Sequence, residues 1–243
     1  MSAYLTDGYH REDMAAHAPV NERMAFIKRT YALLFAAVMA LIAIEAFLIK
    51  TEIGHDVLKT IGGNPILLIG TLVLLIVSCF ASHYLARSGA SPFVQCLGLA
   101  MEVFVWSVLL LPAMYICSVT PAYQNVPLQA GILTLVVFGG LTAVVLVSKR
   151  DFSFLGKILF VLSLVALGVV ICAIVTGGAM GLGLWFSAAM IALACGYILY
   201  DTSNMLHHHP TNAHFAAALE LFSSVAFLFY YIVRLLMSLA SSD

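Results

Sequence analysis

Between Val103 and Ser148 the chain carries no Asp, Glu, Lys or Arg, and between Ile158 and Tyr200 it carries none again. A helix that crosses a bilayer needs about 20 apolar residues in a row, so each run has room for two. The wider composition agrees: 63% of residues are hydrophobic, 9% are charged, and the mean hydropathy is +1.04. A soluble domain carries about 25% charged residues, and a very apolar soluble helical protein would still need a polar surface. Eleven basic and twelve acidic side chains cannot cover one on a domain of 243 residues. Most of this chain is therefore solvated by lipid. Backbone groups in lipid must be paired internally, which leaves helices or a closed barrel. The runs are too long and continuous for barrel strands, so the expected fold class is all-α and polytopic.

Seven spans are expected, at about 30–49, 65–86, 93–117, 127–148, 157–176, 183–205 and 214–238. Pro65 suits the first turn of a helix, where its missing N–H costs nothing, and Pro112 predicts a kink in the third span. The stretch TPAYQNVP at 120–127 divides the first uncharged run, and TGGAMGLG at 176–183 divides the second. Asp151 and Ser153 are candidate caps for the fifth span, and the Lys149–Arg150–Asp151 cluster reads as a tight turn. Residues 1–29 hold Asp7, Glu12, Asp13 and Glu22 without an apolar core, so they read as a mobile polar tail and not a cleaved signal.

Seven spans put the termini on opposite sides. With the N-terminus inside, the inner segments carry Arg11, Arg23, Lys28, Arg29, Arg87, Lys149, Arg150 and Lys157, and the outer ones carry Lys50, Lys59 and Arg234. This bias predicts N-in and C-out, with the HHHP loop in the cytoplasm. The net charge of −1 leaves no basic stripe for nucleic acid. Cys79, Cys96, Cys117, Cys172 and Cys195 all lie in apolar segments and form no C-x-x-C pair. They read as small buried hydrophobes, not as a disulfide framework or metal site. His83 and His214 read as interfacial. The glycine spacings read as close helix packing.

The acids within or bordering the spans are Glu45, Glu102, Asp201 and Glu220. A charge near the bilayer centre costs several kcal/mol, roughly 3 on insertion scales, so such groups face the bundle interior, a cavity or an ion path. Glu45 lies near the outer end of its span, where it can reach water. Glu102 is deeper and suits either a function or an internal hydrogen-bond network. Asp201 and Glu220 lie at similar depth on spans joined by a short loop, with Ser224 one turn beyond Glu220. Two carboxylates held together in low dielectric share a proton, and its loss would part the helices: a pH-sensitive latch with weak affinity for a hard cation such as calcium. Capping and solubilising roles for the same two acids remain open. His207, His208 and His209 read as a polar loop, as a pH-responsive modulator of the latch, or as zinc ligands. Consecutive histidines on a helix point apart, and no cysteine stands beside them.

Four stretches carry a resemblance: FIKRTYALLFAAVMA (26–40), TPAYQNVPLQAGILTLVVFGGLTAVVLVSKRDFSFLGKIL (120–159), GYILYDTSNML (196–206) and AALELFSSVAFLFYYIVRLL (217–236). The chain resembles the Bax inhibitor-1 family, also called transmembrane Bax inhibitor motif proteins, over nearly everything after the tail. DFSFL together with ILYDTS is the specific part. The resemblance implies seven helices, six surrounding a hydrophobic C-terminal seventh, and for several members a pH-sensitive calcium leak. There the aspartate of the Y-D-T motif pairs with an aspartate on the last helix. Asp201 matches the first, whereas Ser224 stands where the second would be, so the two-aspartate latch is broken here; Glu220 is a candidate substitute.

The resemblance is nearest to the proteobacterial inner-membrane branch, whose characterised member modulates the membrane-anchored AAA protease. It implies a multi-pass protein of the bacterial inner membrane that regulates such a protease complex, with a calcium leak gated near Asp201 as the alternative. The residues taken alone favour transport. Nothing supplies a nucleophile with a base, so no enzyme and no bound cofactor beyond weak calcium are expected.

Overall fold

Apolar runs bounded by proline, glycine and short polar turns set the elements. The computed structural model describes residues 15, 18–51, 59, 65–87, 91–148, 150–176 and 183–241. Seven long helices follow in order: α1 (Val20–Lys50), α2 (Pro65–Arg87), α3 (Pro92–Val119), α4 (Val126–Ser148), α5 (Leu155–Val175), α6 (Leu184–His207) and α7 (His214–Ala240). A single turn of 3-10 helix, Pro121–Tyr123, joins α3 to α4. Pro65 and Pro92 each begin a helix, and α3 continues through Pro112, whose ring removes one backbone hydrogen bond. Six of the helices, all but α2, are long and apolar enough to cross a membrane among the described residues. The chain is therefore an all-α, multi-pass membrane protein with six to seven long apolar helices.

α1 starts at Val20, ahead of the expected 30. Its buried residues Phe26, Thr30, Leu34, Ala37, Leu41 and Glu45 recur every three or four positions, one continuous stripe along the helix. Glu22, Arg23, Lys28 and Arg29 interrupt the hydropathy but not this stripe, so a search for apolar runs misses the first turns. Of the residues expected in the tail, most of 1–17 lie outside the described residues. Ala15 is buried, and its N–H donates to the His209 carbonyl at 3.0 Å. The TGGAMGLG turn lies almost wholly outside the described residues, as does Lys149 of the expected turn cluster.

α7 is the helix that the rest surround. It packs against α1, α2, α3, α4 and α6. In its most apolar stretch 72% of the residues are buried, against 6 to 44% in the other spans. α5 lies at the periphery, where it packs on α6. The outward faces carry large exposed apolar side chains such as Phe35, Leu135, Val147 and Trp185. In water so much apolar surface would mark a binding patch; on a bundle of these helices it is the lipid face.

Close approach depends on a few glycines. A Cβ on Gly98 of α3 would lie 2.8 Å from both the Ala86 nitrogen and the Ser82 carbonyl oxygen of α2. On Gly196 of α6 it would meet only the end of the Leu159 side chain of α5, at 2.7 Å. The turn before α5 is tied to α6 instead of capping α5 directly. The Asp151 carboxylate accepts from the Ser153 N–H at 2.9 Å and from the Ser153 hydroxyl at 2.6 Å, and the Phe152 N–H donates to Ser203 Oγ at 2.8 Å. The DFSFL and YDTS stretches thus meet in space.

Candidate functional site

One turn of α7 carries a polar belt inside an otherwise apolar helix. Glu220, Ser223 and Ser224 leave it in different directions, because successive residues are turned by about 100° at 3.6 residues per turn. Each meets a side chain from a different place.

Glu220 faces the end of α6. Its Oε2 lies 3.0 Å from His209 Nε2 and accepts from Asn204 Nδ2 at 3.4 Å. His209 is 0% exposed and Glu220 7%. The loop geometry puts the ring there: the N–H groups of His208 and His209 both donate to the Asn204 carbonyl, at 2.8 and 3.2 Å, which turns the chain sharply after α6. His209 Nδ1 is buried and has no hydrogen-bond partner.

One turn deeper, the Ser224 hydroxyl donates to Asp201 Oδ2. Asp201 is six residues before His207, the last residue of α6, and Glu220 is six after His214, the first of α7, so both lie about 9 Å in from their helix ends. Equal depth does not make them opposite numbers. In an antiparallel pair, a step back along α6 from Asn204 to Asp201 is a step forward along α7 from Glu220 to Ser224. Asp201 therefore takes the serine, and Glu220 takes Asn204 and His209. The latch residues expected from sequence, Asp201, Glu220 and Ser224, sit in one region, with Ser224 bonded to Asp201 and Asn204 and His209 against Glu220.

Ser223 points to α3. Its hydroxyl donates to Glu102 Oε1 at 2.7 Å, Trp106 Nε1 donates to the same oxygen at 3.1 Å, and Cys79 Sγ of α2 does so at 3.7 Å. Glu102 is 0% exposed, and its Oε2 is buried without a partner. Of the two readings open for Glu102, the internal network is present.

Two expectations need correction. Glu45 does not reach water: it is 7% exposed, and both carboxylate oxygens are buried without a hydrogen-bond partner. The reason is its place on the buried stripe of α1, on the side that packs against α3 and α7. The cysteines are not uniformly buried either: Cys96 and Cys172 are exposed on the apolar surface, and Cys79 stands in a polar group with His83 and Glu102.

The three loop histidines diverge. His207 Nδ1 lies 2.9 Å from the Ser203 carbonyl oxygen, His208 Nε2 lies 3.8 Å from Asp151 Oδ2, and His209 is in the belt. They do not converge on one point, as zinc would require, and only His207 and His208 fit a polar loop. Burial lowers the His208 pKa, against the opposing pull of the Asp151 charge, and the neighbouring His207 and His209 lower it further. Burial pushes the Asp151 carboxyl up, but the two Ser153 hydrogen bonds and the His208 and His207 charges outweigh it and hold it below the usual carboxylate value.

Asn204, Ser223 and Trp106 were not singled out by sequence. The signal was present for Asn204, since polar residues continue from Asp201 through Asn204 in an apolar segment.

These features define a multi-pass membrane protein whose bundle encloses a cluster of acids around its C-terminal helix. Among the described residues the regular elements are all helices, with no sheet. A family model described as "Inhibitor of apoptosis-promoting Bax1" matches residues 23–241, and the chain belongs to that family. Its relatives span eukaryotes, viruses and bacteria. It is 27% identical over 242 residues to the Golgi anti-apoptotic protein of Vaccinia virus (strain Lister), covering 96% of this chain and 93% of that one. It is 28% identical over 242 residues to Protein lifeguard 4 of Mus musculus, covering 96% and 92%. An uncharacterized protein of Campylobacter jejuni is 29% identical over 245 residues, covering 91% and 92%. No solved structure matches the chain.

Proposed function

We propose that this chain is a seven-span, N-in/C-out protein of the bacterial inner membrane that provides a pH-sensitive leak for a cation such as calcium, gated near Asp201. The observation that carries the reading is the set of buried acids, Glu45, Glu102, Asp201 and Glu220, inside a lipid-solvated bundle. Acids are retained in such a place at a cost of several kcal/mol, roughly 3 each, where ions or protons pass. In the proposed orientation Glu45 is near the outer face, Glu102 lies deeper, and Asp201 and Glu220 are near the inner face, so oxygen ligands recur across the bundle. Oxygen ligands in small number suit a hard cation bound weakly enough to leave. The Asp201–Ser224 contact closes the inner end; a cation that takes up the Asp201 carboxylate competes with the Ser224 hydroxyl and favours the parting of α6 and α7, and protonation removes the charge that the cation needs.

The alternative, a regulator bound to a membrane-anchored AAA protease, draws on no geometry in the bundle, and none of the relatives named above is described by such a role. The test is calcium influx into proteoliposomes holding only this protein, from about pH 6 to 8, with Asp201→Asn and Glu220→Gln beside wild type. The reading expects flux above empty liposomes, with a pH dependence that Asp201→Asn flattens. Equal flux in all three proteins, or none above background, would sink it.

A further inference from the structure

Cys79, His83 and Glu102 join one of the acids considered above for cation passage, Glu102, to a sulfur and a ring nitrogen. Cys79 and His83 are one turn apart on α2, and Glu102 faces them from α3. One ring nitrogen, the Cys79 sulfur and a carboxylate oxygen all lie within 4.8 Å of one another. Cys79 Sγ is 3.7 Å from Glu102 Oε1 and 3.9 Å from His83 Nδ1. With zinc bonds of about 2.3 Å to sulfur and 2.0 Å to nitrogen or oxygen, the edges of a tetrahedron are roughly 3.5 Å. These two separations are within a few tenths of an ångström of that spacing, so the three side chains are close enough for one ion to draw the sulfur, a carboxylate oxygen and a ring nitrogen together.

Glu102 supplies the second observation. It is wholly buried, and among the described residues no basic side chain pairs with it and no hydrogen-bond partner meets Oε2. Its other oxygen is held by Ser223 and Trp106, the kind of outer hydrogen bonding that orients a metal-binding carboxylate. The His83 ring is likewise held, with its Nδ1–H donated to the Cys79 carbonyl oxygen at 3.0 Å, which makes Nε2 the nitrogen that would ligate.

We propose that Cys79, His83 and Glu102 form a site for a zinc-type divalent transition-metal ion between α2 and α3. A thiolate with an imidazole and one carboxylate is a donor set for borderline metals and a poor one for calcium or magnesium. Three protein ligands leave a fourth position for water, as in exchangeable sites and not closed structural ones. The site shares Glu102 with the leak reading but requires neither flux nor Asp201, so metal binding and calcium flux can each fail without the other.

Cobalt(II) is the probe, added to the purified full-length protein in detergent. One equivalent is expected to give a thiolate-to-cobalt charge-transfer band that zinc abolishes and calcium leaves intact. Cys79→Ser is expected to remove the band, Cys195→Ser to retain it, and Glu102→Gln and His83→Gln to weaken binding by at least about 10-fold. Ser223→Ala, which loosens only the carboxylate, is expected to weaken it by roughly 10–100-fold. The melting temperature of each variant without metal reports whether it is folded, and variants that fail this control are replaced by wild-type protein alkylated with and without zinc, where Cys79 alone is expected to be protected. Absence of the band in wild type, its survival in Cys79→Ser, unchanged affinity in folded Glu102→Gln, or equal alkylation of Cys79 with and without zinc would each overturn the site.

Discussion

Removing the His209 side chain takes the nearest partner from a buried carboxylate. Glu220 is 7% exposed, its Oε2 lies 3.0 Å from His209 Nε2, and Asn204 Nδ2 donates to that oxygen at 3.4 Å. Breaking a buried charged pair by removing one partner costs about 3–5 kcal/mol, the loss expected for His209→Ala. Glu220→Gln keeps an oxygen that accepts from both partners and removes the charge, so it costs no more than one ordinary hydrogen bond, about 0.5–1.5 kcal/mol. The double variant has the histidine-shaped void but no stranded charge. It should therefore be more stable than the sum of the singles predicts, by up to about 3 kcal/mol, the upper range for contacting residues. At about 2–4 °C of melting temperature per kcal/mol for a chain of this size, the effect is readable by thermal unfolding of the detergent-purified protein. Strict additivity would refute the argument, because it would mean that Glu220 carries no charge for His209 to compensate.

Other outcomes follow from single contacts. Ser224→Asp puts a second carboxylate against Asp201, so the pair should retain one proton and any calcium flux in proteoliposomes should become more steeply pH-dependent than in wild type; an unchanged profile would count against a gate at this contact. His208 has a folded pKa lowered by burial, so its stabilising contribution is fully present above the unfolded value of about 6.5 and is lost as pH falls from there through the lower folded value. Thermal stability should decline over that window, and His208→Asn should reduce the slope. Gly98→Ala drives a Cβ to 2.8 Å from backbone atoms of α2, whereas Gly196→Ala meets a movable leucine tip. The first should cost about 1–3 kcal/mol or more and the second less, an order that thermal unfolding can check.

The bundle was legible because lipid leaves few solutions: long uncharged runs, punctuated by proline and glycine, become helices. The first turns of α1 were not, since hydropathy detects what faces lipid and Phe26 belongs to a stripe that faces protein. Asp201, Glu220 and Glu102 could be picked out one by one because acids are conspicuous in apolar segments. Their partners could not. Whether Asp201 meets Ser224 or Glu220 depends on the register of α6 against α7, which depth alone leaves open by a full turn. His209 hid in a run of three histidines, where only the fold of the loop distinguishes the inward ring from its neighbours. The group around Cys79 needed the contact between α2 and α3, made close by a glycine whose role is invisible in one dimension.

Ser223 and Ser224 are adjacent in the chain yet serve acids on different helices, with Glu220 a turn away serving a third partner. α7 is thus keyed to its neighbours in the way a lock cylinder is keyed to its pins. A rotation of α7 about its own axis would therefore disturb its contacts with Glu102, Asp201 and His209 together.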